Sequence, residues 1–421
     1  VELSEAELVR LPNGVRIALE PMPWLGTASF GVWQRVGARW EPPELNGIAH
    51  LFEHMAFKGA GARDARQFSE AIESVGGALN AATGYERTAY YGRTLGEHAP
   101  FALDLIADIL FAPHWNADDL EKEKGVVAQE RGDAYDAPGD RVFELHQAAL
   151  YPGQALGRPI LGEDETLANV SVDTLRAFHD AHMSPDRLII SIAGAFDRAA
   201  FLDTVERRFG HLKKQEFQEP APARPHPGRV GEARRLEQTH LLLSWRGVRA
   251  GADEVFAIRF LSDVFGGSAS SRLFQEVREQ RGLVYAIDSG YDLLEDDGRI
   301  NVYASCSAKN AREVAAIVEA ELQSLADKGP SEEEMARVRT MALASMMMAL
   351  EASSTRAEVR MRQVMLGDEL RSYDDIRKRY ETVTAEEVRS AAQAALAGPA
   401  AAAVVGPKAG HGVLARFAAQ F

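Results

Sequence analysis

The sequence predicts an α+β protein of two homologous domains, each a mostly antiparallel or mixed sheet packed with helices. Three observations predict it. The 421 residues exceed the usual size of one compact domain. A polar stretch rich in Pro and Gly, KKQEFQEPAPARPHPGRVGEARR (213–235), divides the chain near its middle. The halves also resemble each other. Val170 pairs with Val383, Asp173 with Glu386 and Arg176 with Arg389, each at an offset of 213, and Gly194 pairs with Gly406 at 212. Domains are therefore expected at 1–212 and 233–421, joined by a linker at 213–232.

The elements follow in chain order. TASFGVWQRV reads as a strand, and NGIAHLFEHMAFKG (46–59) as a helix with Asn46 as its N-cap. GGALNAATGYERTAYYG turns at Gly76-Gly77 into a strand, and RTAYYGRTL returns without an intervening helix, the mark of antiparallel pairing. NADDLEKEKGVV opens a capped helix that PSEEEMARVRTM repeats in the second half. NVSVDTLRAFHDAHMSPDRLIISIAG carries a cap, an amphipathic helix, a Pro turn and an apolar strand, and TVTAEEVRSAAQAALAGPAAAAVVG repeats that order. THLLLSWRG and RINVYASCS are further strands. MALASMMMAL (341–350) belongs to a long helix and is expected to pack in the core.

Composition narrows the function. An apolar share of 46% with 26% charged residues is that of a soluble globular protein. The net charge of −15 argues against nucleic acid and suits cationic ligands. The single cysteine, Cys306, excludes an intramolecular disulfide and a thiolate metal cluster. No stretch reads as a membrane span, since the longest uncharged one is broken at Gly398-Pro399. The opening VELSEAELVR has neither a basic nor an apolar leader segment, and because it starts at Val1 an initiator or longer leader is expected before it. A cytoplasmic location is expected, with a periplasm or mitochondrial matrix as alternatives.

The chemistry concentrates in residues 46–59. At about 100° per residue, His50, Glu53 and His54 share one helix face, and Ile48, Leu51, Phe52 and Met55 share the other. Two histidines at i and i+4 can bind one zinc. The carboxylate between them is displaced around the helix, where it can act as a base for water rather than as a ligand. A solvated polar face is the competing explanation of this triplet. Glu123 and Glu130, seven residues apart on a later helix, stand among Leu120, Val126 and Val127, and buried carboxylates there need a partner such as a metal. The H-x-x-E-H order is the inverzincin signature.

HLFEHMAFKG, followed by the glutamate of VVAQE 76 residues after His54, resembles the pitrilysin family of zinc peptidases. The likeness is strongest to its two-domain branch, that of the mitochondrial processing peptidase β subunit and bacterial relatives. It extends over LPNGVRIALEPMP, GGALNAATGYERTAYYG and SRLFQEVREQRGLVYAI. The resemblance implies His50, His54 and Glu130 as ligands of one zinc per chain, Glu53 as general base, and Glu123 as a carboxylate steadying a ligand histidine. It implies that Asn80 and Ala81 lie on an exposed edge strand to which peptide adds. Arg278 and Tyr285, in REQRGLVY with Gly282 as the helix C-cap, would bind substrate near the scissile carbonyl. It further implies a homodimer, a clamshell chamber with sites completed in trans, acting on unfolded or short, basic, presequence-like peptides. The short FGGSASSRLF segment favours the catalytic over the non-catalytic subunit type. A structural or peptide-holding subunit of the same fold is the alternative. His179 and His182 lack a carboxylate partner and read as structural or exposed.

Overall fold

The computed structural model describes residues 5–216 and 218–418. Residues 1–4 of the opening stretch and Phe217 of the linker lie outside them. The chain forms two compact units, one from Val1–Glu130, Pro159–Pro220 and Met346–Tyr373, the other from Arg131–Arg158, Ala221–Ser345 and Asp374–Phe421.

The first unit holds strands β1 (Glu7–Arg10), β2 (Arg16–Pro21), β3 (Thr27–Gln34), the small hairpin β4 (Gly59–Ala60) and β5 (Arg63–Asp64), then β6 (Ala78–Thr83), β7 (Thr88–Leu95) and β8 (Leu188–Gly194). Its six-stranded sheet runs β1-β2-β8-β3-β7-β6. Only β2 and β8 pair in parallel. Alternation assigns the faces. Ile17, Leu19, Phe30, Val32, Ile190 and Ile192 enter the main core with the helix Ala99–Phe111, whereas Ala18, Trp33, Ala89 and Ile189 meet Met361 and Val364 of the helix Ser353–Gly367. Covered on both faces, β8 is buried at every position, which explains its unbroken apolar sequence. Glu20 on β2 is fully buried beneath that second helix. Its oxygens accept from Arg356 Nη1 and Arg360 Nε, each at 2.6 Å, and from the Tyr373 hydroxyl at 2.8 Å.

The second unit repeats the plan. Strands β9 (Gly228–Ala233), β10 (Thr239–Arg246), β11 (Val284–Leu293), β12 (Gly298–Cys306) and β13 (Ala401–Gly406) run β9-β13-β10-β12-β11, the order of β2-β8-β3-β7-β6. The parallel pair recurs as β9 and β13. The helix Pro138–Leu150 covers β13, β9 and β10, as Ser353–Gly367 covers β8, β2 and β3. There His146 Nε2 meets Ser244 Oγ at 2.6 Å, both groups buried. The repeated caps are also present: Ser171 and Thr384 each form a capping box.

Two expectations are corrected. β9 lies inside the polar stretch 213–235 read as linker, because an edge strand half open to water keeps polar residues at alternate positions. Met347 and Met348 are exposed, the latter by 63%, rather than packed in the core. The helix Glu332–Ala349 buries Met335, Val338 and Ala342, and consecutive methionines fan around the axis instead of joining that stripe. Among the described residues no helix is long and apolar enough to cross a membrane.

Candidate metal centre and active site

The helix Ile48–Ala56 presents both faces as the sequence divides them. Ile48, Leu51, Phe52 and Met55 are buried in the first unit's core, and His50, Glu53 and His54 lie on the other side, His50 itself being 7% exposed. Its start differs from expectation. Asn46 does not cap it; Gly47, at φ 94°, takes that position. The Glu41 carboxylate accepts from the Gly47 and Ala49 backbone N–H groups at 2.8 and 2.9 Å and from Asn46 Nδ2 at 2.8 Å. A charged acceptor is the stronger cap on a positive helix end, and it leaves the Asn46 amide as a donor.

Glu130, on the helix Ala117–Asp136, faces both histidines. Its Oε2 is 3.8 Å from His50 Nε2 and 3.5 Å from His54 Nε2, and one donor atom from each of the three lies within 4.8 Å of the others. Glu123, one turn pair earlier and 6% exposed, accepts from His54 Nδ1 at 3.0 Å. That contact places the His54 proton on Nδ1 and turns the Nε2 lone pair toward Glu130. Burial, with His54 alongside, pushes His50 down to about 4, which keeps it neutral. One nitrogen of each imidazole and a carboxylate oxygen therefore converge. Donor atoms around a tetrahedral zinc at ~2.0 Å stand roughly 3.3 Å apart, near the 3.8 and 3.5 Å by which Glu130 is separated from the two imidazoles. The three residues fit such an ion.

Glu53 sits beside them. Burial raises its pKa, opposed by a hydrogen bond of 2.5 Å from Thr83 Oγ1 on β6. Behind it the Tyr90 phenol is buried, its hydroxyl without a hydrogen-bond partner among the described residues, and burial with Glu53 nearby raises its pKa well above the usual value. Lys58 Nζ reaches the other oxygen of Glu123 at 2.7 Å. Sequence reasoning missed Thr83, Lys58 and Glu41. Thr83 had a signal: alternation along β6 turns Leu79, Ala81 and Thr83 inward, which leaves one polar group aimed at the helix.

Asn80 and Ala81 lie on β6, an edge strand paired only with β7. The Asn80 side-chain oxygen accepts from the Ala81 N–H at 2.9 Å. Arg278 and Tyr285 belong to the second unit. Arg278, on the π-helical turn Phe274–Gln280, lies over the Phe274 ring at 4.7 Å, and Tyr285 on β11 is 76% exposed. Gly282, at φ 59°, follows that turn and donates its N–H to the Arg278 carbonyl. His179 is buried against Phe52 and Trp115, a packing position behind the histidine helix, and His182 donates from Nδ1 to the Phe178 carbonyl of its own helix at 2.7 Å.

The second unit has a matching helix, Val255–Phe265, without imidazoles. At an offset of 209 from His50, Glu53 and His54 stand Arg259, Ser262 and Asp263. Arg259 donates to the Tyr380 hydroxyl and lies 3.8 Å from Asp263, and Ser262 Oγ contacts Ser289 Oγ of β11 at 3.1 Å. Nothing in that set can take a transition metal as the first helix can.

Comparison with known proteins agrees with this asymmetry. Residues 16–164 match the family described as "Insulinase (Peptidase family M16)", and residues 169–342 match "Peptidase M16 inactive domain". A Bacillus subtilis (strain 168) protein named "Uncharacterized zinc protease YmxG" is 35% identical over 404 residues, covering 94% of this chain and 97% of its own. A Mycobacterium tuberculosis protein also named an uncharacterized zinc protease is 35% identical, covering 94% and 92%. Among solved structures, a protease from Helicobacter pylori superposes with a TM-score of 0.87 at 20% identity, covering 96% of this chain and 100% of that one. A Pseudomonas fluorescens peptidase M16 inactive-domain structure gives 0.89 at 18% identity, covering 96% and 98%.

Proposed function

The chain belongs to peptidase family M16, and on that premise we propose that it is a zinc-dependent endopeptidase of the H-x-x-E-H type. The observation that carries this reading is the convergence of His50 Nε2, His54 Nε2 and a Glu130 oxygen beside the Glu53 carboxylate. One zinc bound there supplies Lewis acidity, polarising the scissile carbonyl and easing loss of a proton from water.

The chain's own residues do the rest. Glu53 takes the proton of the attacking water and delivers it to the leaving amine. Glu123 keeps His54 in the tautomer that leaves Nε2 free. The open edge of β6 at Asn80 and Ala81 receives the peptide as an added strand, a mode that reads main chain more than sequence. A net charge of −15 favours basic peptides, and the family resemblance favours unfolded ones of limited length. Family resemblance supplies the remaining part: a homodimer in which Arg278 and Tyr285 of one subunit face the substrate carbonyl in the other.

The test is cleavage of a short basic fluorogenic peptide by wild type, by Glu53→Gln and by chelated protein. Cleavage by wild type alone, restored by zinc after chelation, supports the reading. Turnover by Glu53→Gln removes that residue from the role of base, and a wild-type protein that takes up no zinc returns the chain to a scaffold or peptide-holding role.

A further inference from the structure

We propose that Thr83 is the positioning residue for Glu53: its hydroxyl fixes the carboxylate in the orientation from which it can take a proton. The inference rests on the peptidase reading and adds a residue to it.

Thr83 holds the Glu53 carboxylate twice: its hydroxyl donates from Oγ1 to Oε2 at 2.5 Å, and its backbone N–H makes a second, lesser contribution. The other groups around Glu53 do not orient it. His54 is its neighbour on the helix, and its ring nitrogens are directed to Glu123 and Glu130. Glu130 is a carboxylate and repels it. Tyr90 lies behind, its hydroxyl unpartnered. Without the Thr83 hydroxyl, the stronger of the two restraints on rotation about the last bond of the Glu53 side chain is lost.

Thr83 is also well placed to hold still. It closes β6, where it pairs with Thr88 across the hairpin to β7. It projects to the same inward side as the buried Ala81, three residues along from Asn80. The strand that offers its edge to peptide therefore also carries the group that aims the base.

The second unit supplies an internal control. Ser262, at the position of Glu53, contacts Ser289 of β11, so a hydroxyl link between this helix and its edge strand exists where no carboxylate needs aiming. If the Thr83 contact only ties helix to strand, breaking either link has the same kind of effect. If it aims Glu53, only the first matters to turnover.

The experiment compares Thr83→Val, Thr83→Ser and Ser289→Ala with wild type, each loaded with zinc, and measures kcat and KM on the fluorogenic basic peptide. Thr83→Val is expected to lower kcat by about 10- to 100-fold, the cost of a misplaced group, with KM within roughly threefold. Thr83→Ser recovers most of the loss, and Ser289→Ala leaves kcat unchanged. Two readouts need no turnover. Anisotropy of the labelled peptide on metal-stripped Thr83→Val gives wild-type affinity, and its crystal structure shows the Glu53 carboxylate rotated from its wild-type position. The inference is overturned by a Thr83→Val kcat near wild type, by failure of Thr83→Ser to recover it, by equal losses in Ser289→Ala, by a peptide affinity reduced as much as kcat/KM, or by an unmoved carboxylate. Should Thr83→Val not fold, Thr83→Ala is read in the same way. A wild-type protein that binds zinc but cleaves nothing defeats the peptidase reading instead, and the crystallographic comparison still decides the role of Thr83.

Discussion

Glu123 is held at both ends: one oxygen lies 3.0 Å from His54 Nδ1 and the other 2.7 Å from Lys58 Nζ. A carboxylate fixed in this way orients the imidazole it touches, and Lys58 acts on the site through it. Glu123→Gln is expected to weaken zinc binding by ~10- to 100-fold, and Lys58→Met by about three- to tenfold, with Lys58→Arg close to wild type. Competition with a chromophoric chelator measures all three. Wild-type affinity in Lys58→Met would show that His54 alone is enough to hold Glu123.

The buried cluster beneath the helix Ser353–Gly367 joins one carboxylate, Glu20, to two guanidinium groups and a phenol. Glu20→Ala leaves Arg356 and Arg360 buried without their counter-charge. A loss of roughly 3–5 kcal/mol in the first unit follows. Hydrogen exchange at β2 and β8 reads it directly, since those strands lie under the helix; unchanged protection there would refute the prediction.

His146 gives the second unit an acid sensitivity. Burial, with Arg299 nearby, depresses it to about 3, so it is neutral in the folded protein. An unfolded histidine titrates near ~6.5. With the folded value the lower of the two, its contribution is complete above about pH 6.5 and is lost as pH falls from there toward 3. His146→Gln should remove up to about 3 kcal/mol of the change in stability between pH 7 and 4. Urea titrations of both proteins at stepped pH test this, and parallel curves would place the acid sensitivity elsewhere.

Composite sites make a prediction about mixtures. On the proposed homodimer, Glu53→Gln and Arg278→Ala proteins, each inactive alone, are expected to regain about a quarter of wild-type activity when subunits exchange at random, because half the dimers would be mixed and each would carry one intact site. A mixture as inactive as its components would confine each site to a single chain.

How much of this was legible in the sequence depended on range. His50, Glu53 and His54 lie within one helical turn and a fraction, so periodicity alone put them on one face opposite Leu51 and Phe52. The repeat at 213 was legible because Val170 and Val383 and their neighbours do the same local work in both copies. Thr83 was legible only as an inward-facing polar residue, and Lys58 not at all, because each matters through a partner brought to it by folding and neither residue type is rare on a surface. Glu41 displaced Asn46 as the cap because a charge five residues upstream folds back, which no local pattern announces. The methionine run misled for the opposite reason: its composition suggests a core, but its consecutive spacing denies one.

The helix Ser353–Gly367 has a consequence for how the protein is born. It completes the first sheet, yet the ribosome makes it after most of the second half. Until it emerges, Trp33, Ala18 and Ile189 face water and Glu20 lacks both arginines. The half of the chain that carries the histidines therefore cannot finish folding during its own synthesis and must wait, partly open, for residues through Tyr373. A nascent chain arrested before that point should remain susceptible to protease in β2 and β8.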